Sequence, residues 1–134
     1  MENYLTKEPI PLSEILGEKS NPTCGATFLF MGTVRNHHQN KTVTKLFYDC
    51  HEPLANQTIS QIIKEHRDQF KISRIQVIHR IGWLNLGDIA LVVLAQGAHR
   101  KETILACDRT IEEIKKRVPI WKHEYYLDET EQWL

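Results

Sequence analysis

The stretch Ile89-Ala90-Leu91-Val92-Val93-Leu94-Ala95 carries no charged or polar side chain, and the fold is read outward from it. A short run that is apolar on both alternating faces reads as a fully buried strand, so it is expected at the centre of a sheet. Gly97-Ala98-His99 then leads into a helix from about Arg100 to Arg117, with Ile104, Ile111, Ile114 and Val118 as its buried stripe and Cys107 close to it. Pro119 cannot continue a helix, so the helix stops there and Ile120 to Tyr126 reads as extended.

Upstream, Asn85-Leu86-Gly87-Asp88 is a turn. Arg74 to Trp83 alternates, with Ile75, Val77, His79 and Ile81 on one face. On that apolar face His79 reads as a hydrogen-bonded core histidine. Pro53, tolerated in a first turn, opens a helix whose stripe is Leu54, Ile59, Ile62, Ile63, His66 and Phe70. Thr42 to Cys50 alternates, with Leu46, Tyr48 and Cys50 on one side and Lys45 and Asp49 on the other. Ala26 to Met31 is apolar on both faces, reads as a buried strand and ends at Gly32. These two strands are expected to form a hairpin with a long polar tip. Ahead of them, Pro11 or Ser13 can begin one short helix. The order β-β-α-β-β-α-β points to one α+β domain over residues 1–134, with an antiparallel or mixed sheet covered by helices.

Lys plus Arg and Asp plus Glu number 17 each, so bulk charge points to neither nucleic acid nor membrane. No apolar run approaches the roughly 18 residues of a membrane span, and Met1 to Pro11 lacks the apolar segment of a secretory signal. Cys24, Cys50 and Cys107 form no CxxC pair; a disulfide framework or zinc site is not expected, and a reducing cytoplasm fits. His37-His38 would point apart on a strand, and no HxxxH or HxH spacing occurs, so no metal is expected. No P-loop or GxGxxG is present, and aromatic residues do not interleave with basic ones.

Several cations fall at element ends: Arg35 after the first strand, His99 and Arg100 where a strand meets a helix N-terminus, Lys115 in the last turns of that helix, and Lys122 beyond Pro119. A strand leading into a helix N-terminus offers free N–H groups to an anion, and Arg adds a planar fork. Scattered solvated charges would look the same. Lys115 near a helix C-terminus also complements the dipole. Trp121 could shield the stem of Lys122, and a lysine so placed can serve as acid, base or electrostatic clamp.

Four segments occur in order: Phe30-Met31-Gly32-Thr33-Val34-Arg35; Val77-Ile78-His79-Arg80-Ile81-Gly82; Ala98-His99-Arg100; and Ile114-Lys115-Lys116-Arg117-Val118-Pro119-Ile120-Trp121-Lys122-His123-Glu124. Together they resemble the large, catalytic subunits of molybdopterin synthase, the MoaE family, over about Gly25 to Trp133. The resemblance implies an α/β hammerhead fold and a homodimer at the centre of a heterotetramer. It implies a small ubiquitin-like sulfur-carrier subunit whose C-terminal Gly-Gly thiocarboxylate threads into a pocket. It also implies cyclic pyranopterin monophosphate (precursor Z) as substrate, converted by two sulfur transfers to the molybdopterin dithiolene with no cofactor. Carried over by position, Thr33, Val34, Arg35, His99, Arg100, Lys115, Lys122, His123 and Glu124 would bind substrate or tail. Lys115 and Lys122 would be the catalytic pair, and no cysteine of this chain need react.

The sequence departs from the family in three places. Where the family has an acidic-aromatic strand ending in a methionine-containing helix start, this sequence reads Phe47-Tyr48-Asp49-Cys50-His51-Glu52-Pro53-Leu54; His123 stands where Lys or Arg is common; and the longer basic tail of some members is not expected beyond Trp133. Two other readings use the same residues: a non-catalytic module that holds a ubiquitin-like tail, and an unrelated phosphate-binding enzyme on the same fold. Retention of both lysines disfavours the first of these.

Overall fold

The computed structural model describes residues 2–134. In chain order the elements are β1 (Leu5–Thr6), α1 (Leu12–Gly17), β2 (Ala26–Thr33), β3 (His37–His38), β4 (Lys41–Cys50), α2 (Glu52–Phe70), β5 (Arg74–Arg80), β6 (Gly82–Asn85), β7 (Ile89–Gly97), α3 (Arg100–Arg117), β8 (Ile120–Tyr126) and β9 (Glu131–Trp133). The class is α+β as expected, but the strands form two sheets rather than one.

The first sheet has the order β1-β5-β7-β2, antiparallel except for the parallel β1–β5 pair. β7 is interior and buried along most of its length, as its apolar run predicts. Its alternate residues serve two cores. Leu91, Val93 and Ala95 face α2 and α3, whereas Val92 and Leu94 pack with Ile10 and Ile15 of the leader and α1. β2 corrects the sequence reading. It is an edge strand, with Phe28 and Phe30 packed toward the helices and Met31 left 42% exposed.

The expected hairpin of the first two long strands does not form. β2 pairs with β7, and β4 pairs with β3, β6 and β8 in the second sheet, whose order is β3-β4-β8-β9 with β6 on β4. A register irregularity at Gly32/Thr33 ends the first ladder. Beyond it a tight turn at Gln39 and Asn40, with φ of 49° and 66°, folds β3 onto the start of β4. The chain crosses between sheets again at Gly82, whose φ of 83° is left-handed and separates β5 from β6. Val34, Leu46, Leu84 and Ala90, with Tyr48 against them, fill the seam between the sheets.

The helix boundaries follow the sequence signals. Pro53 lies in the first turn of α2, and α3 ends at a Val118 cap before Pro119. Two stripe positions do not. Leu54 is 47% and Ile104 42% exposed, while Ala55, Thr103, Ala106 and Thr110 are fully buried. The helices approach each other and the sheet through small side chains, which hydrophobic periodicity passes over.

Candidate active site

α3 begins just past the end of β7 and packs back along β7 and β2. Thr33, Val34 and Arg35 therefore lie at the same end of the molecule as Lys115, because β2 is antiparallel to β7. His99 and Arg100 lie at the other end. At ~1.5 Å per helical residue, Arg100 and Lys115 are about 22 Å apart along α3. One chain therefore does not gather all the cations into a single cradle.

At the lysine end, Thr33 and Arg35 are exposed, whereas Val34 is 6% exposed with its side chain in the seam. Val34 N–H donates to the Asp88 carbonyl at 3.0 Å, and the Gly87 N–H donates to Val34 O at 2.8 Å. Lys115 is exposed on the last turns of α3. Pro119 ends that helix, and its carbonyl accepts from His51 N–H at 3.2 Å, which docks the start of β8 beside β4. Register then sets Lys122 opposite Tyr48, His123 opposite Phe47 and Glu124 opposite Leu46.

Strand alternation divides that last trio. Lys122, Glu124 and Tyr126 share the face that also carries Tyr48, Leu46 and Leu84. His123 is on the opposite face, its ring between Tyr125 and Trp133 at centroid distances of 4.4 and 4.3 Å, with Glu131 3.5 Å from Nε2. Trp121 also lies on that opposite face, 48% exposed, so it does not cover Lys122. Lys122 Nζ lies 3.8 Å from Glu124 Oε2. Glu124 Oε1 lies 2.6 Å from His38 Nδ1 and accepts from the Tyr126 hydroxyl at 3.0 Å. Beside them, burial and then the Glu124 charge push the Tyr48 phenol up to about 12, so its hydroxyl keeps its proton at neutral pH.

The cysteines are free, and Cys107 is buried. Burial, followed by the charges of Glu52 and Asp49, pushes the Cys50 thiol up to about 11; burial also raises Cys107. Both are thiols rather than thiolates at neutral pH and are poor nucleophiles. Among the described residues no His, Cys, Asp and Glu group is arranged to hold a metal.

At the far end, His99 caps α3. Its N–H donates to Glu102 Oε1 at 3.0 Å, and its carbonyl accepts from Thr103 Oγ1 at 2.6 Å. His99, Arg100 and Lys101 line a shallow cavity of about 590 Å³ together with Gly25, Ala98 and Glu102. Sequence reasoning missed His38, Tyr48 and Tyr126. His38 meets Glu124 across 86 positions of sequence, so no local spacing signals it.

Comparison with known proteins points one way. The family model described as MoaE protein matches residues 5–117. Molybdopterin synthase catalytic subunit 1 of Mycobacterium tuberculosis is 39% identical over 121 residues, covering 90% of this chain and 82% of that protein. The crystal structure of molybdopterin synthase from Staphylococcus aureus matches with a TM-score of 0.91 at 31% identity, covering 100% of this chain and 98% of the other. A complex of subunits 1 and 2 of the Helicobacter pylori molybdopterin-converting factor matches with a TM-score of 0.76 at 22% identity, covering 92% and 84%, a likeness of fold.

Proposed function

The chain belongs to the MoaE protein family, and from that premise we propose how it acts as the catalytic subunit of a molybdopterin synthase in molybdenum cofactor biosynthesis. It moves sulfur from the C-terminal thiocarboxylate of a small ubiquitin-like subunit to cyclic pyranopterin monophosphate. What supports this reading is the topology, which brings Arg35, Lys115 and the early part of β8 with Lys122 toward one end of the fold, together with Cys50 and Cys107 thiols that stay protonated.

The thiocarboxylate sulfur is the nucleophile. It attacks a side-chain carbon of the substrate, a C–S bond forms, and the displaced oxygen takes the electron pair. Water then cleaves the resulting thioester, returning the tail as a carboxylate and leaving the sulfur on the substrate. A second carrier repeats the step at the adjacent carbon to complete the dithiolene; at one of the two carbons the C–O bond broken is that to the cyclic phosphate, which opens to a monoester, and at the other the displaced oxygen leaves as water. The ammonium groups of Lys115 and Lys122 neutralise the oxyanions that develop and deliver protons to the leaving oxygen. Arg35 pairs with phosphate or with the tail carboxylate. Glu124, already engaged by His38 and Tyr126, supports Lys122 rather than touching an anionic ligand.

His99 and Arg100 grip phosphate from the other end of the chain, which requires a second copy. We place the enzyme as a homodimer, with one small subunit on each copy, in which His99 and Arg100 of one protomer reach the lysine end of its partner. The three free cysteines suit a reducing cytoplasm. No helix among the described residues is long and apolar enough to cross a membrane.

A single-turnover assay with thiocarboxylated small subunit and precursor Z tests the reading. Molybdopterin should form with the unaltered chain, and Lys115→Ala should lower the rate by roughly 100-fold or more while the protein still folds and binds its partner. Near-normal turnover by that variant would remove Lys115 from the mechanism. A stable complex without any product would leave a tail-binding module.

A further inference from the structure

Lys122 is backed by a buried carboxylate whose two oxygens have different tasks. Glu124 is 5% exposed; Oε2 lies 3.8 Å from Lys122 Nζ, while Oε1 lies 2.6 Å from His38 Nδ1 and takes the Tyr126 hydroxyl at 3.0 Å. A carboxylate can only accept, so His38 Nδ1 carries a proton toward it in either charge state of the ring. The place of His38 is set by backbone rather than by chance. It sits on β3, clasped to β4 through the Gln39-Asn40 turn, and its side chain is only 20% exposed.

We propose that His38 is a positioning residue for sulfur transfer: by occupying one oxygen of Glu124 it keeps that carboxylate from drawing in Lys122. This rests on the reading of Lys122 given above. The physical reason is satisfaction of a buried anion. A buried carboxylate short of donors seeks another, and its terminal torsion turns easily. The lysine paired with it is Lys122, 3.8 Å away. With His38 in place the lysine stays beyond close hydrogen-bonding distance of Glu124, near enough to be oriented and free enough to reach substrate. Without His38 the lysine would close onto Glu124 and be withdrawn from the reaction.

The test compares His38→Ala with His38→Asn in the assembled enzyme. The asparagine amide nitrogen can stand where Nδ1 stands and donate the same bond. His38→Ala should lower kcat on the order of tenfold, with KM for the thiocarboxylated small subunit changed by no more than about twofold. His38→Asn should recover most of that loss. Wild-type kcat in His38→Ala overturns the proposal, and so does equal impairment of both variants or a loss explained wholly by a smaller folded fraction. Lys122→Ala is measured alongside. If it is inactive while His38→Ala is normal, only the positioning role falls. If Lys122→Ala is fully active, the reading of the site falls and the positioning role with it.

Discussion

His79 lies 7% exposed beneath Tyr48, ring centroids 5.0 Å apart, and donates from Nδ1 to the Arg80 carbonyl at 2.7 Å. Burial pulls its pKa from 6.5 down to about 4, against the smaller opposite effect of that hydrogen bond. The folded protein therefore holds His79 neutral where the unfolded chain would protonate it. Between about pH 6.5 and 4 the unfolded state binds more protons, so stability falls as pH falls through that window, by up to ~3 kcal/mol. His79→Gln, which keeps a donor for Arg80 but cannot titrate, should flatten the decline in melting temperature between pH 7 and 5. An unchanged decline would assign the acid sensitivity elsewhere. His79 was legible in the sequence because a polar residue on an alternating apolar face must be satisfied locally. The division of Lys122 from His123 follows from the same alternation, once Pro119 has started the strand. The match to family residues treats neighbours in sequence as neighbours in space, which a strand does not.

At the scale of elements, the close seating of α3 depends on Gly97. A methyl group built there would stand 2.5 Å from Thr103 Oγ1 and 2.9 Å from Ile72 Cγ2. Gly97→Ala should cost about 1–3 kcal/mol and lower the thermal midpoint by several degrees. An unchanged midpoint would mean that α3 can ride outward without penalty. The same close packing explains which elements the sequence shows. β7 and the ends of α3 are marked by an uninterrupted apolar run and by Pro119. The buried face of α3 is not, because Thr103, Ala106 and Thr110 do their packing by being small. His66 Nδ1 and Thr110 Oγ1, 2.8 Å apart, even place a polar contact between the two long helices. β1, β3 and β9 span two or three residues each, too few for any periodicity to register. The expected β2–β4 hairpin failed because neighbours in sequence are only a first guess at neighbours in a sheet, and here the best apolar partner for β2 is β7.

At the scale of the whole molecule, the candidate cations form two groups at opposite ends of α3. If each site of a dimer takes Lys115 from one copy and Arg100 from the other, two inactive variants should rescue one another. Mixing Arg100→Ala with Lys115→Ala under conditions of subunit exchange should restore about one quarter of wild-type sites, because half the dimers are mixed and one site in each is intact. No recovery, with exchange confirmed by mass, would confine each site to a single chain. The element-end positions of these cations were legible from the sequence. Their separation was not, because it follows from α3 running back along β7, a fact of topology. The ladder that seats Lys122 has a further consequence. β4 meets β8 through Cys50 with Ile120 and Val43 with Tyr126, partners 70 and 83 residues apart. Joining them requires closing a long loop of chain, which raises the entropic barrier to that contact well above that of a local hairpin. The order of assembly is thereby biased: α3 and its His99 cap can form from local contacts, while Lys122 reaches its place only when segments 70 or more residues apart have met.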